Sequence, residues 1–196
     1  VNAARDVVDN VINMNGLIEA KTAVQENGEI ILYGGEEGLV NVTGTLDASG
    51  KEAGQTAGEV KILGEWVALL ENAFIDVSGD LGGGTALIGG DYQGKGLVPR
   101  SEKSYFHSTA FVTADALSSG DGGQVILWAD DATYFKGSIS AIGGVQGGNG
   151  GFVETSGKKY LDFDGSVDVA ALNGEAGTVL LDPASITLLS GVDSNS

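Results

Sequence analysis

Three acidic residues recur at one position in successive stretches of this chain: Glu19 in GLIEA, Asp47 in GTLDASG and Asp76 in AFIDVSG. Stacked on neighbouring strands they would lie about 5 Å apart and repel, and a bound cation would relieve them. A solvated acidic face explains the same ladder without a metal, and the nine-residue calcium-binding repeat is missing. Carboxylate pairs can also cut glycosidic bonds, but these acids form a ladder rather than one unusual cluster. The adjacent pair Asp130-Asp131 lies outside the ladder and reads as a turn. His107, the sole histidine, is too little for a metal site or a haem ligand and reads as a surface loop residue. Cysteine is absent, which removes disulfides, thiolate metal sites and cysteine nucleophiles. No catalytic residue and no cofactor is assigned, and the chain is expected not to be an enzyme.

The other chemistry-bearing stretch is DYQGKGLVPRSEKSYFHST, 91–109. It gathers Lys95, Arg100 and Lys103, three of only ten basic residues, with Tyr92, Tyr105, Phe106 and His107. Aromatic rings beside cations can stack on sugars or grip a protein partner. The plainer reading is an excursion whose aromatics cover an apolar flank. Glycine-rich GDLGGGTALIGG lacks the spacing and following helix of a phosphate-cradling loop, so its glycines are read as turns.

These residues sit in a repeat. A small residue stands at Gly16, Gly44, Ala73, Ala110, Gly137 and Gly165, and an apolar one two places on, at Ile18, Leu46, Ile75, Val112, Ile139 and Val167. Four places on come Ala20, Ala48, Val77, Ala114, Ala141 and Val169, with polar residues between. Period-2 alternation of this kind is a strand with one buried face. A second block starts at Gly28, Gly58, Gly84, Gly123, Gly151 and Gly177, and only Thr155 breaks its apolar columns. A looser third block appears as LVNV, WVALL, YF (134–135), YLDF and ITLL.

Units of roughly 28 residues with three short strands mark a solenoid, because one coil cannot bury its apolar face and stacked coils can. A propeller blade needs about 40–45 residues. The expected fold is therefore all-β, a right-handed parallel β-helix of about six coils with three short strands per coil, the handedness following the rule for parallel crossovers. The helix is placed at 16–190. The stretch 1–15 is a cap or first strand, 91–109 an inserted loop where one unit runs about nine residues long, and 191–196 a trailing end.

The 196 residues carry 27 acidic against 10 basic groups, a net charge of −17. Such a surface repels phosphate backbones, so nucleic acid is excluded as a partner. No apolar run approaches the ~20 residues of a membrane span, and membrane insertion is not expected. Hydrophobic content of 42% and a mean hydropathy of +0.09 argue for a packed core despite the charge. Glycine, at 33 residues, has no three-residue period, which excludes collagen. The chain starts at Val1 without a leader and reads as a piece of a longer protein.

The segments EWVALLENAFIDVSGD (65–80), GGGTALIGGDYQGKG (82–96), ADALSSGDGGQVILWADD (114–131), GNGGFVETSGKKYLDFDG (148–165) and GEAGTVLLDP (174–183) closely resemble filamentous-haemagglutinin-like large exoproteins, the passengers of bacterial two-partner secretion. The resemblance implies a β-helical shaft following the secretion domain, exported through an outer-membrane transporter. It also implies a place outside the cell or on its surface and a role in attachment to a host or neighbouring-cell receptor or glycan. The expected function is a non-catalytic stalk or adhesion segment. The alternative is a carbohydrate-active or carbohydrate-binding β-helix using surface Asp and Glu. Strand-rich circular dichroism is expected, with a melting temperature unchanged between EDTA and millimolar Ca²⁺; a sharp rise with calcium would make the acidic ladder a metal site.

Overall fold

A computed structural model describes residues 11–14, 17–19 and 28–184. The first coil is β1 (Val11–Met14), β2 (Leu17–Glu19) and β3 (Glu29–Tyr33), and the second is β4 (Leu39–Val42), β5 (Thr45–Asp47) and β6 (Glu59–Leu63). The third comprises β7 (Trp66–Leu69), β8 (Phe74–Asp76) and β9 (Thr85–Ile88), and the fourth β10 (Lys103–Phe106), β11 (Phe111–Thr113) and β12 (Gln124–Ala129). The fifth holds β13 (Ala132–Phe135), β14 (Ser138–Ser140) and β15 (Phe152–Gly157), and the sixth β16 (Tyr160–Phe163), β17 (Ser166–Asp168) and β18 (Thr178–Leu180). Like strands of successive coils pair in parallel, giving three sheets of six rungs each and about five full turns between first and last rung. The chain is a parallel β-solenoid, as its repeat predicts.

The repeat columns are the core. Leu46, Ile75 and Val112 are fully buried in the second sheet, and Val60, Ile62, Ala86, Ile88, Val125 and Leu127 in the third. In the first sheet Val42, Leu69, Phe106, Phe135 and Phe163 share one register position. Phe106 packs edge-on against Phe135 at 5.1 Å between ring centres. Buried hydroxyls on the same sheet are satisfied, as buried polar groups must be. Ser104 donates to the Trp128 carbonyl at 2.6 Å and Thr133 to the Ser156 carbonyl at 2.8 Å, tying the first sheet to the third.

The second-block glycines have a specific cause. The N–H of Gly58, Gly84, Gly123, Gly151 and Gly177 turns inward across the coil to the carbonyl of Ala48, Val77, Ala114, Ala141 and Val169, at 2.6–2.8 Å. The carbonyls of Gly58, Gly84, Gly123 and Gly151 then accept from the residue that follows the next coil's glycine, as in Thr85 N–H to Gly58 and Gln124 N–H to Gly84. Coils lie so close here that a Cβ on Gly84 would strike the Gly58 carbonyl oxygen, and one on Gly123 the Gly84 oxygen.

Two expectations change. The long unit is not a loop through 109: Lys103–Phe106 is β10, paired with β7 and β13. The first and third blocks of that unit are therefore regular, and the excursion spans 89–102. Phe106 is a core residue with no exposed surface, so it cannot serve the binding role assigned to it. Of the stretch 1–15, expected as a cap or a first strand, Val11–Met14 is a strand pairing with β4; residues 1–10 and 15 lie outside the described residues, as do ITLL (186–189) and the trailing end at 191–196.

Two substitutions test this architecture by urea or thermal unfolding. Gly123→Ala is expected to lose roughly 3 kcal/mol, the upper end of overpacking costs, since the atom it meets is backbone. Phe106→Ala is expected to lose about 3–5 kcal/mol as a large core truncation.

Candidate functional site

The acidic ladder is a corner device. Glu19, Asp47 and Asp76 share one register position, followed by Thr113, Ser140 and Asp168. Of Glu19 only the backbone is described. The Asp47 carboxylate accepts the Ser49 N–H at 2.9 Å, Asp76 the Ser78 N–H at 3.0 Å, and Asp168 the Ala170 N–H at 2.9 Å. Each closes a local turn of the kind Asp side chains favour. The ladder is not uniformly solvated as the sequence suggests: Asp76 is buried, bonded also to the Ser78 hydroxyl at 2.6 Å and paired with Lys51 at 2.5 Å. Where Ser140 brings no carboxylate, Asp115 of the preceding coil takes the Ile142 N–H at 2.8 Å and the Ser140 hydroxyl at 2.6 Å. Further along the same corner Asp80 accepts the Gly54 N–H and the Ser118 hydroxyl, which hold its carboxyl below the usual range.

Asp130 and Asp131 form the tight turn between β12 and β13, matching Gly64-Glu65 and Lys158-Lys159 in other coils. Asp130 accepts from the Trp128 indole at 3.1 Å and pairs with Arg100 at 3.1 Å; Asp131 pairs with Lys159 at 3.3 Å. His107 lies in the turn after β10, where its Nδ1 meets the Thr109 hydroxyl at 3.0 Å.

The cationic-aromatic residues of 91–109 fall on two different faces. Tyr92, Lys95 and Arg100 belong to a flap, 89–102, folded over the outer face of the third sheet. Both ends of the flap are pinned: Ser101 donates its N–H to the Gly89 carbonyl at 2.7 Å and its hydroxyl to the Gly64 carbonyl at 2.7 Å. Beneath it Leu87, Ile126 and Trp128 are buried against Val98. Without the flap Leu87 and Ile126 would be wet, because Ile31, at their register position, is 52% exposed. Gly94 rests on the Trp128 indole, where a Cβ would come within 2.6 Å of the ring. Tyr92 meets Phe152 edge-on at 5.6 Å. Arg100 donates to the Gly94 carbonyl at 3.0 Å. A cavity of about 350 Å³ beside the flap is lined by Lys95, Arg100 and Lys158 with Asp130 and Asp182.

The next residue in the covered row is Glu154, in register with Ile126. It is fully buried; one carboxyl oxygen accepts the Gln93 N–H at 3.0 Å and the other has no hydrogen-bond partner. Burial pushes its pKa above the ordinary carboxyl value, against the Gln93 N–H and Ser156, which lower it. Sequence reasoning passed over Glu154. The signal was the apolar pair Leu87 and Ile126 at an outward position, which calls for a cover and makes an acid in the same row anomalous.

Lys103, Tyr105 and His107 lie instead on or beside the outer face of the first sheet. Trp66, Tyr134 and Tyr160 are exposed there and Tyr105 is half-buried; Trp66 and Tyr160 share one register position, Tyr105 and Tyr134 another. Lys103 sits over the Trp66 ring at 5.3 Å, and Tyr134 approaches Tyr160 at 5.6 Å. Lys136 pairs with Asp162 at 2.9 Å, and that carboxylate raises the lysine's pKa. Rings interleaved with hydrogen-bonding side chains on a flat sheet can stack against the apolar face of a saccharide and bond its hydroxyls.

No family model matches the chain, and no curated protein matches it significantly. Among solved structures the chain is similar to the HMW1 secretion domain from Haemophilus influenzae, with a TM-score of 0.65 and 26% identity. The match covers 82% of this chain and 46% of that one, so the chain spans about half the length of its structural neighbour. It is a parallel β-solenoid akin to part of a bacterial secretion domain.

Proposed function

We propose that this chain is a segment of a secreted bacterial exoprotein of the two-partner, filamentous-haemagglutinin-like kind. An outer-membrane transporter handles it during export, and at the cell surface it serves as a non-catalytic stalk with an adhesive face. The observation that carries the reading is the likeness to the HMW1 secretion domain over 82% of the chain, which agrees with the segments that resemble two-partner passengers. The resemblance in sequence puts the segment in the shaft behind the secretion domain; the structural neighbour favours a place within the secretion region itself. The exposed rings of Trp66, Tyr134 and Tyr160, with half-buried Tyr105 between them, support an adhesive role, and a saccharide suits them better than a protein partner because polar and charged side chains interrupt the rings. The carboxylates assigned to turns and ion pairs above support a non-catalytic role.

Two measurements test the reading. Deleting 28–184 from the parent exoprotein, expressed with its transporter, is expected to abolish release into the medium; undiminished release would return the segment to the shaft. On a glycan array, Trp66→Ala/Tyr134→Ala/Tyr160→Ala is expected to weaken binding at least about tenfold, or about 1.4 kcal/mol. Replacing 90–101 by a two-residue turn should leave binding intact. Loss with the flap variant alone would move the adhesive face to the third sheet.

A further inference from the structure

We propose that Glu154 is a proton-operated latch for the flap at 89–102: as a neutral acid it keeps the flap seated on the third sheet, and on ionising it releases it. The contact is specific. The flap's single 3₁₀ turn, Tyr92–Gly94, places Gln93 in the left-handed region at φ 52°, unusual for a residue with a side chain. That conformation turns the Gln93 N–H onto the Glu154 carboxyl at 3.0 Å. The left-handed turn and the buried acid therefore explain each other.

The surroundings suit a neutral acid. Glu154 lies in a row with Ile126 and Leu180, and one of its oxygens is buried without a partner. The charged groups facing it from neighbouring elements are acidic: Asp91 at the start of the flap and Asp182 after β18 both disfavour ionisation. The cations of the adjoining cavity are engaged or turned outward. Arg100 is bound to Asp130 and the Gly94 carbonyl, Lys95 donates to the Gln93 side chain at 2.6 Å, and Lys158 is exposed. A buried carboxylate without a cation is costly, and lifting the flap is the cheapest way to hydrate it.

The sign follows from linkage. The closed state holds its proton to higher pH than the open state, so closure is fully stable below the ordinary carboxyl value of 4.5 and weakens as pH rises. Between the open-state and closed-state pKa values the opening constant grows about tenfold per pH unit, then levels off. Opening uncovers Leu87, Ile126 and Trp128.

The test is amide hydrogen exchange on the intact chain from pH 4.5 to 8, corrected for intrinsic exchange. Gln93, Gly94 and Lys95 report the flap, and Gln124 reports the solenoid. Flap protection is expected to fall by at least tenfold over this range while Gln124 stays constant. Glu154→Gln keeps an acceptor for the Gln93 N–H and cannot ionise, so its flap protection should be flat. Glu154→Leu, matching Leu87 of the same row, should be flat as well and serves if the amide variant does not fold. A flat profile in the unsubstituted chain, or the same fall in a variant, overturns the latch.

Discussion

Everything in this molecule is spaced by the contact between the glycine column and the coil before it. Each of these glycines sends its N–H across the coil, and the carbonyls of Gly58, Gly84, Gly123 and Gly151 bond to the next coil, so the backbone itself seals the corner between the second and third sheets. A side chain cannot fit there. The residue that receives the N–H must also be small, which is why Ala48, Val77, Ala114, Ala141 and Val169 are never larger than valine. The parallel register and the alignment of the apolar columns follow from this pinch, since a slipped coil would drive a Cβ into a carbonyl.

The periodic part of the fold was legible for that reason. Alternation and recurring glycines are repeated constraints, and each coil states them again. What the sequence concealed were departures that still obey the architecture. KSYF is a full rung of the first sheet, but its inward pair is Ser104 and Phe106 rather than two aliphatics. Ser104 is polar because its hydroxyl caps the end of β12, and no apolar pattern announces that. Tyr105-Phe106 does repeat Tyr134-Phe135, which was the available clue. Proximity in sequence also misled: Arg100 and Lys103 are three residues apart, yet the turn at Ser101 and Glu102 carries the chain from one sheet to the next and puts their side chains on different faces.

The two faces that matter are built by opposite means. On the first sheet, rings are left in water on rigid strands, so their spacing is set by the rungs and no rearrangement is needed to present them. On the third sheet, an apolar row is made and then covered, at the cost of a left-handed glutamine and a buried acid. A rigid, exposed surface suits recognition of a repetitive ligand, whereas a covered one has two states by construction. The acids of the corner between the second and third sheets belong to neither face; their carboxylates are engaged by backbone N–H groups.

The substitution of Asp115 for the missing carboxylate beside Ser140 gives the coils a kinship order. Most corners close within one repeat, but the corner of the fifth coil is closed by the fourth. A genetic duplication copying only 137–164 would carry a corner with no acceptor of its own, and an in-frame loss of 110–136 would strand the coil that follows. Recombination between repeats is thus asymmetric here: a fifth coil gained without a fourth before it, or a fourth lost from in front of a fifth, leaves a corner without its carboxylate, whereas the sixth coil closes its own.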